Sequence, residues 1–271
     1  MAKVTNEDRH KYLEKIKPYE AMIKSLLKRE ELALQIIKKD DHGAALKRLA
    51  LVEEMVSMAA NYIVLSGISQ SMLKLRSEEA LNEGRKALYK AVIYLEEVVS
   101  PLIDAPFSEY EEKLLEIRAV DAKKRYAIVK KLGLALQLLE NAYGDRTKWR
   151  WSFVELEGRF ATVVKNIMNL KTAVANTEPS SPDYEPTVYH LRMLKKLMLQ
   201  AADRYREKYE LSTNRIDDFK MGIHFLNSLR RIHALLGERD NAETVKKKAD
   251  IWSSKLEMDM KKQEEAALKR N

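Results

Sequence analysis

Cysteine is absent from this chain, glycine occurs only 8 times and proline only 6. Each shortage excludes something. Without cysteine there is no disulfide, no thiolate nucleophile and no Cys-based zinc site. So few turn-making residues argue against all-β folds and against dinucleotide-binding α/β folds with their glycine-rich loop. No histidine sits in an H-E-x-x-H pair, and no phosphate-binding loop occurs. The start, Met1-Ala2-Lys3-Val4-Thr5, lacks the apolar stretch of a signal peptide, and no continuous apolar run is long enough to span a bilayer. The expectation is a chain without a membrane span, cytoplasmic as written, or periplasmic if a signal peptide has been removed.

What is present is helix. Apolar residues make up 45% of the 271 residues and charged residues 33%. That mixture suits long helices with one buried stripe and a broad wet face. The clearest stripe runs through Trp149, Phe153, Leu156, Phe160, Val163, Ile167, Leu170 and Val174. Its steps alternate four and three, the spacing that lays one helix along another.

Capping signals divide the rest. Thr5, with Glu7 and Asp8 behind it, starts a first helix to Lys39, with Pro18 expected to kink or split it. Asp40 and Asp41 are read as the cap of a second helix, which ends at Gly67 or runs on to Arg76. Ser77 opens a third, ending before Pro101. Ser108 and Glu111 open a fourth through Ala142, roughly 50 Å long, with Gly144 just beyond it. The fifth carries the stripe. After the Pro/Ser-rich segment Thr177–Pro186 come three more, near residues 187–210, from Ser212 or Thr213 to Leu236, and from Asp240 onward.

The fold class is therefore all-α: about eight long antiparallel amphipathic helices in an elongated bundle or a solenoid-like array of helical hairpins. The expected organisation is an N-terminal bundle (1–176), a loop or linker (177–186) and C-terminal hairpins (187–271) packed on the first part. In the last hairpin Gly237, Ala242 and Ala249 fall at offsets of five and seven, behind Leu229. This spacing resembles the second-helix pattern of the tetratricopeptide repeat, over one hairpin of about 34 residues. The chain departs from that pattern at Arg230, His233 and Lys246, where the family has a small residue, a tyrosine and an aromatic. The resemblance implies a hairpin array.

The net charge is +8, and residues 186–271 hold 19 Lys/Arg against 13 Asp/Glu. Acidic residues are interleaved throughout, so a solvated helix surface is the simpler reading of this excess. Three basic features still stand out as candidate partner contacts. Arg146-Thr147-Lys148-Trp149-Arg150-Trp151 interleaves cations with indoles, a mixture that can stack on single-stranded nucleic acid. Trp149 begins the stripe and belongs in the core, which leaves Trp151 and Arg150 as the contacts. Arg230-Arg231 and Lys246-Lys247-Lys248 are the other two, with Tyr184 in the loop. The five histidines, His10, His42, His190, His224 and His233, lie too far apart in sequence to suggest a metal site.

No cofactor, metal or catalytic residue is expected. The functional expectation is a non-catalytic scaffold or adaptor for protein–protein interaction, as a component of a filament, coat or larger machine. Its partners are other proteins, a second copy of the chain included. The alternative is a nucleic-acid or anionic-surface binder that uses the basic C-terminal third.

Overall fold

Local signals set most of the helix ends. Thr5 Oγ1 accepts the Asp8 N–H at 3.1 Å and the Asp8 carboxylate accepts the Thr5 N–H at 2.9 Å, a reciprocal capping box. It opens α1 (Asn6–Lys39). The structure, a computed structural model, describes residues 4–144 and 147–268. It is 84% helical, with no strand among the described residues. Ten α-helices appear among them, rather than about eight.

Pro18 does not split α1. Ile16 and Ile23, on either side of it, are buried against Leu65, Ile68 and Ala80, and that packing holds the helix through its missing hydrogen bond. The expected cap at Asp40 and Asp41 is also corrected. Asp40 closes α1 and its carboxylate accepts the His42 N–H at 2.9 Å. Gly43, at φ +66°, makes the left-handed step into α2 (Ala44–Leu73). This helix passes Gly67 without a break. Ser77 caps α3 (Glu78–Val98), accepting from the Ala80 N–H at 3.3 Å.

The single long fourth helix is corrected as well. It is two helices, α4 (Phe107–Glu116) and α5 (Ala122–Tyr143). Asp121 caps the second, taking the Lys124 N–H at 2.7 Å. The Arg125 side chain donates back to the carbonyls of Val120 (2.8 Å) and Ile117 (3.0 Å), so the interrupted backbone is satisfied.

The chain divides into two compact units. Unit 1 comprises Met1–Ser100 and Glu111–Arg150. Here α2 packs against α1, α3 and α5. By length and composition alone α2 is apolar enough to cross a membrane, with mean hydropathy 1.4 in its best 18-residue window. Of that window 39% is buried against the neighbouring helices.

Unit 2 comprises Pro101–Tyr110 and Trp151–Asn271. Its helices are α6 (Arg150–Asn166), the short α7 (Leu170–Ala173), α8 (Tyr184–Lys208), α9 (Ile216–Leu235) and α10 (Arg239–Leu268). A 3-10 turn (Ala175–Thr177) precedes α8 and a π-turn (Tyr209–Thr213) follows it. The stripe from Phe153 to Ile167 is buried as expected. It is not one helix: Asn169 caps α7, accepting the Lys171 N–H at 3.1 Å, and Val174 is left exposed. The segment 177–186 lies within unit 2, and its last three residues already belong to α8.

Helix α9 packs against both α8 and α10. Tyr209 stacks on Phe219 with centroids 4.9 Å apart, and Phe219 meets Trp252 at 5.8 Å. A Cβ on Gly222 would lie 3.0 Å from the Ala202 carbonyl oxygen, so a larger residue would press α8 and α9 apart by a few tenths of an ångström.

Candidate functional site

The C-terminus of α9 shows how local sequence builds a site in unit 2. Gly237 adopts φ +73°. Its N–H donates to the Ala234 carbonyl at 3.1 Å, and the Glu238 N–H to the His233 carbonyl at 2.9 Å. This pair of bonds is a Schellman motif, which ends the helix and folds the chain back on itself. The fold-back sets the Glu238 carboxylate beside His233, with Oε2 2.5 Å from Nδ1. The other oxygen accepts from Lys195 Nζ of α8 at 2.7 Å. Burial works against ionisation of Glu238, but the Lys195 and His233 hydrogen bonds outweigh it and hold its carboxyl below the ordinary value.

Beside this network lies a cavity of about 300 Å³, at the small end of ligand pockets. Helix α8 contributes Val188, Leu191, Arg192 and Lys195, Thr177 comes from the 3-10 turn, and Leu236 and Glu238 from the α9–α10 turn. The α8 residues recur at steps of three, one and three, the spacing of a single helix face. Leu191 is buried against Met168 and Ala173. The wall is thus branched aliphatic, with charge at its edge.

A second polar cluster fastens the loop before α4. Lys165 and Asn166 are both buried at the end of α6. Lys165 Nζ donates to the Ile103 carbonyl at 2.8 Å and Asn166 Nδ2 to that of Leu102 at 3.2 Å. Asp104, next in the loop, accepts from Arg231 at 2.6 Å and lies 2.5 Å from His224 Nδ1. Burial, with Arg231 nearby, pushes Lys165 down to about 8, opposed by Asp104. At 4% exposure Lys165 is closed off from solvent, and with Asn166 it clasps the loop to the end of α6.

The residues singled out by sequence differ in exposure and in their partners. Trp151 is half-buried and Arg150 exposed. Trp149 is half-buried with the Arg85 guanidinium 4.1 Å above its ring, so that indole is engaged within unit 1. Arg146 lies outside the described residues. Arg231 is held by Asp104, and Lys248 by Asp203 at 2.7 Å and over the Trp252 ring at 5.0 Å. Tyr184, Arg230, Lys246 and Lys247 are exposed. His190 is buried, its Nε2 2.9 Å from the Val164 carbonyl oxygen, while His10 and His42 are exposed.

Sequence reasoning missed Arg192, Lys195 and Glu238, and also Lys165 and Asn166. Signals for both sets existed. The pair Lys165-Asn166 interrupts the apolar run between Val164 and Ile167. The Gly237-Glu238 pair at a helix end is a legible fold-back, with His233 four residues before the glycine.

Residues 8–260 match the model of the TP0443 family, and the chain belongs to that family. No curated protein matches it, and no solved structure does.

Proposed function

We propose that this TP0443 family member is a non-catalytic helical scaffold or adaptor, whose work is to be gripped by other proteins. The observation that carries the reading is the outward face of α10. Ile251 and Met258 stand there seven residues apart at 68% and 55% exposure. The opposite face, with Val245, Ala249, Trp252 and Leu256, is buried. By helical spacing Lys247, Ser254 and Lys261 share the outward stripe. Two apolar knobs one heptad apart and flanked by lysines suit a partner helix with an apolar seam and acidic edges. The finer arrangement, hairpins stacked as a bundle or an array, belongs to the same proposal.

The test is co-purification from native cells with mass spectrometry, comparing the native chain with an Ile251→Asp/Met258→Asp variant. The expected result is loss of the partner with folding stability within about 0.5 kcal/mol, since both side chains are solvated. Equal capture by the two chains rejects this face as the docking site.

One observation favours a second reading, an anionic-surface or nucleic-acid binder. Lys246, Lys247 and Lys261 have no carboxylate partner among the described residues. Binding to random-sequence DNA or RNA near 50 mM salt that vanishes near about 200 mM would favour it, because counterion release makes such binding steeply salt-dependent. Absence of binding at the lower salt removes it.

A further inference from the structure

The cavity beside Glu238 has a composition that selects a ligand. Its floor and walls are Val188, Leu191 and Leu236, all branched aliphatics, with no aromatic ring to stack a base or a sugar. Two cations face it, and they differ in kind. Lys195 is neutralised by Glu238, which His233 holds from the other side. Arg192 is exposed and makes one contact, its guanidinium 5.9 Å from the centroid of the Tyr189 ring. It has no carboxylate partner among the described residues. The charge left over at the cavity is therefore a single guanidinium, the group best shaped to take a planar carboxylate in two parallel hydrogen bonds. The fixed carboxylate of Glu238 disfavours a dianion, so the balance suits one negative charge rather than a phosphate. Thr177 Oγ1 donates to the Val174 carbonyl at 2.6 Å, so toward a ligand it can act only as an acceptor of an N–H or O–H.

We infer that this cavity binds an aliphatic monocarboxylate, its branched body on Val188, Leu191 and Leu236 and its carboxylate on Arg192. Two sources carry that chemistry: a free branched-chain acid, and the C-terminus of a polypeptide that ends in an aliphatic residue. The site is independent of the α10 face, so either assignment can fail alone.

The experiment is an NMR titration of the full chain with three probes: N-acetyl-leucine as a mimic of a chain end, 4-methylpentanoate as a free acid, and 4-methylpentanamide as the uncharged match in shape. The expected result is saturable shifts of the Thr177, Val188, Leu191 and Leu236 amides with at least one acid, and roughly tenfold weaker binding of the amide. Arg192→Gln should weaken the acid by roughly tenfold and leave the amide unchanged. Arg192 is exposed, so the variant should keep the native melting temperature. Val188→Trp, which fills the cavity, should abolish binding of all three probes. Tighter binding of N-acetyl-leucine than of 4-methylpentanoate assigns the site to a chain end, and the reverse or equality assigns it to a free acid. No saturable shift with either acid, equal binding of acid and amide, or an unaffected Arg192→Gln overturns the inference. So does displacement of the acid by inorganic phosphate at equal concentration.

Discussion

The two units hold different things inside. In unit 1 helix follows helix with short turns, and buried polar side chains such as Ser69, Arg125 and Glu30 close a helix end or tie one helix to another. Ser69 Oγ donates to the Leu75 carbonyl at 2.7 Å where α2 stops, and Arg125 serves the break before α5. Glu30 of α1 accepts from Lys90 at 2.8 Å and from Tyr94 at 2.5 Å on α3. In unit 2 buried polar side chains reach as far along the chain, but they meet irregular backbone there instead of a side chain on another helix. Lys165 and Asn166 bond to carbonyls 62 and 64 positions earlier. The difference teaches what irregular backbone demands. A helix satisfies its own N–H and C=O groups, so its core face can be hydrocarbon. A loop such as 101–106, brought against α6 and α9, leaves carbonyls that only side chains can meet. Unit 2 carries that loop, the turns after α7 and the cavity; in unit 1 the break at 117–121 is met from close by, by Arg125 at the start of the next helix.

Three measurements would break or sharpen this contrast. The largest effect is expected at Phe219, which sits between Tyr209 and Trp252 in the hydrocarbon part of unit 2. Phe219→Ala should cost about 3–5 kcal/mol in chemical denaturation, through lost contacts and a residual cavity. A cost below about 1 kcal/mol would mean that the aromatic stack is not what holds α8, α9 and α10 together.

The next concerns the clasp and pH. Burial lowers Lys165 to about 8 in the folded chain, against an ordinary value of about 10.4 when unfolded. The unfolded chain therefore holds this proton more tightly, and stability should rise as pH climbs between those two values. The rise is on the order of 3 kcal/mol, and Lys165→Met should lack it. Denaturation of both chains at pH 7 and pH 10 reads the difference. Parallel pH dependence in the two would show that the ammonium is solvated and that the clasp is not sealed.

The smallest is in unit 1. Tyr94→Phe removes the hydroxyl that donates to Glu30 and should cost about 1.5 kcal/mol, the value of a hydrogen bond to a charged group. Lys90 stays in place to hold the carboxylate, which keeps the loss modest. A loss matching that of Phe219→Ala would erase the contrast between the units.

Much of the fold was legible because its signals act within a few residues. The Thr5–Asp8 box, the Ser77 cap and the glycine at 144 stop or start helices by bonds to neighbours three or four positions away. The Asp121 break was not legible, because no glycine or proline marks it and its stability comes from Arg125 folding back on Val120 and Ile117. The stripe through Trp149 to Val174 has the spacing of one helix because apolar periodicity continues past Met168, where Asn169 recaps the chain. The cavity was not legible at all, since its lining comes from three stretches of chain, residues 177, 188–195 and 236–238.

By itself the sequence determined that the chain is helical, where most helices begin and end, and which stripe each buries, because helix hydrogen bonds and caps close locally. Tertiary structure alone decided which cations are spent and which are left over. An ion pair depends on a partner from a distant stretch of chain: Arg231 meets Asp104 of the 101–106 loop and Lys248 meets Asp203 of α8 only once those segments pack, whereas Arg192 meets no acid among the described residues.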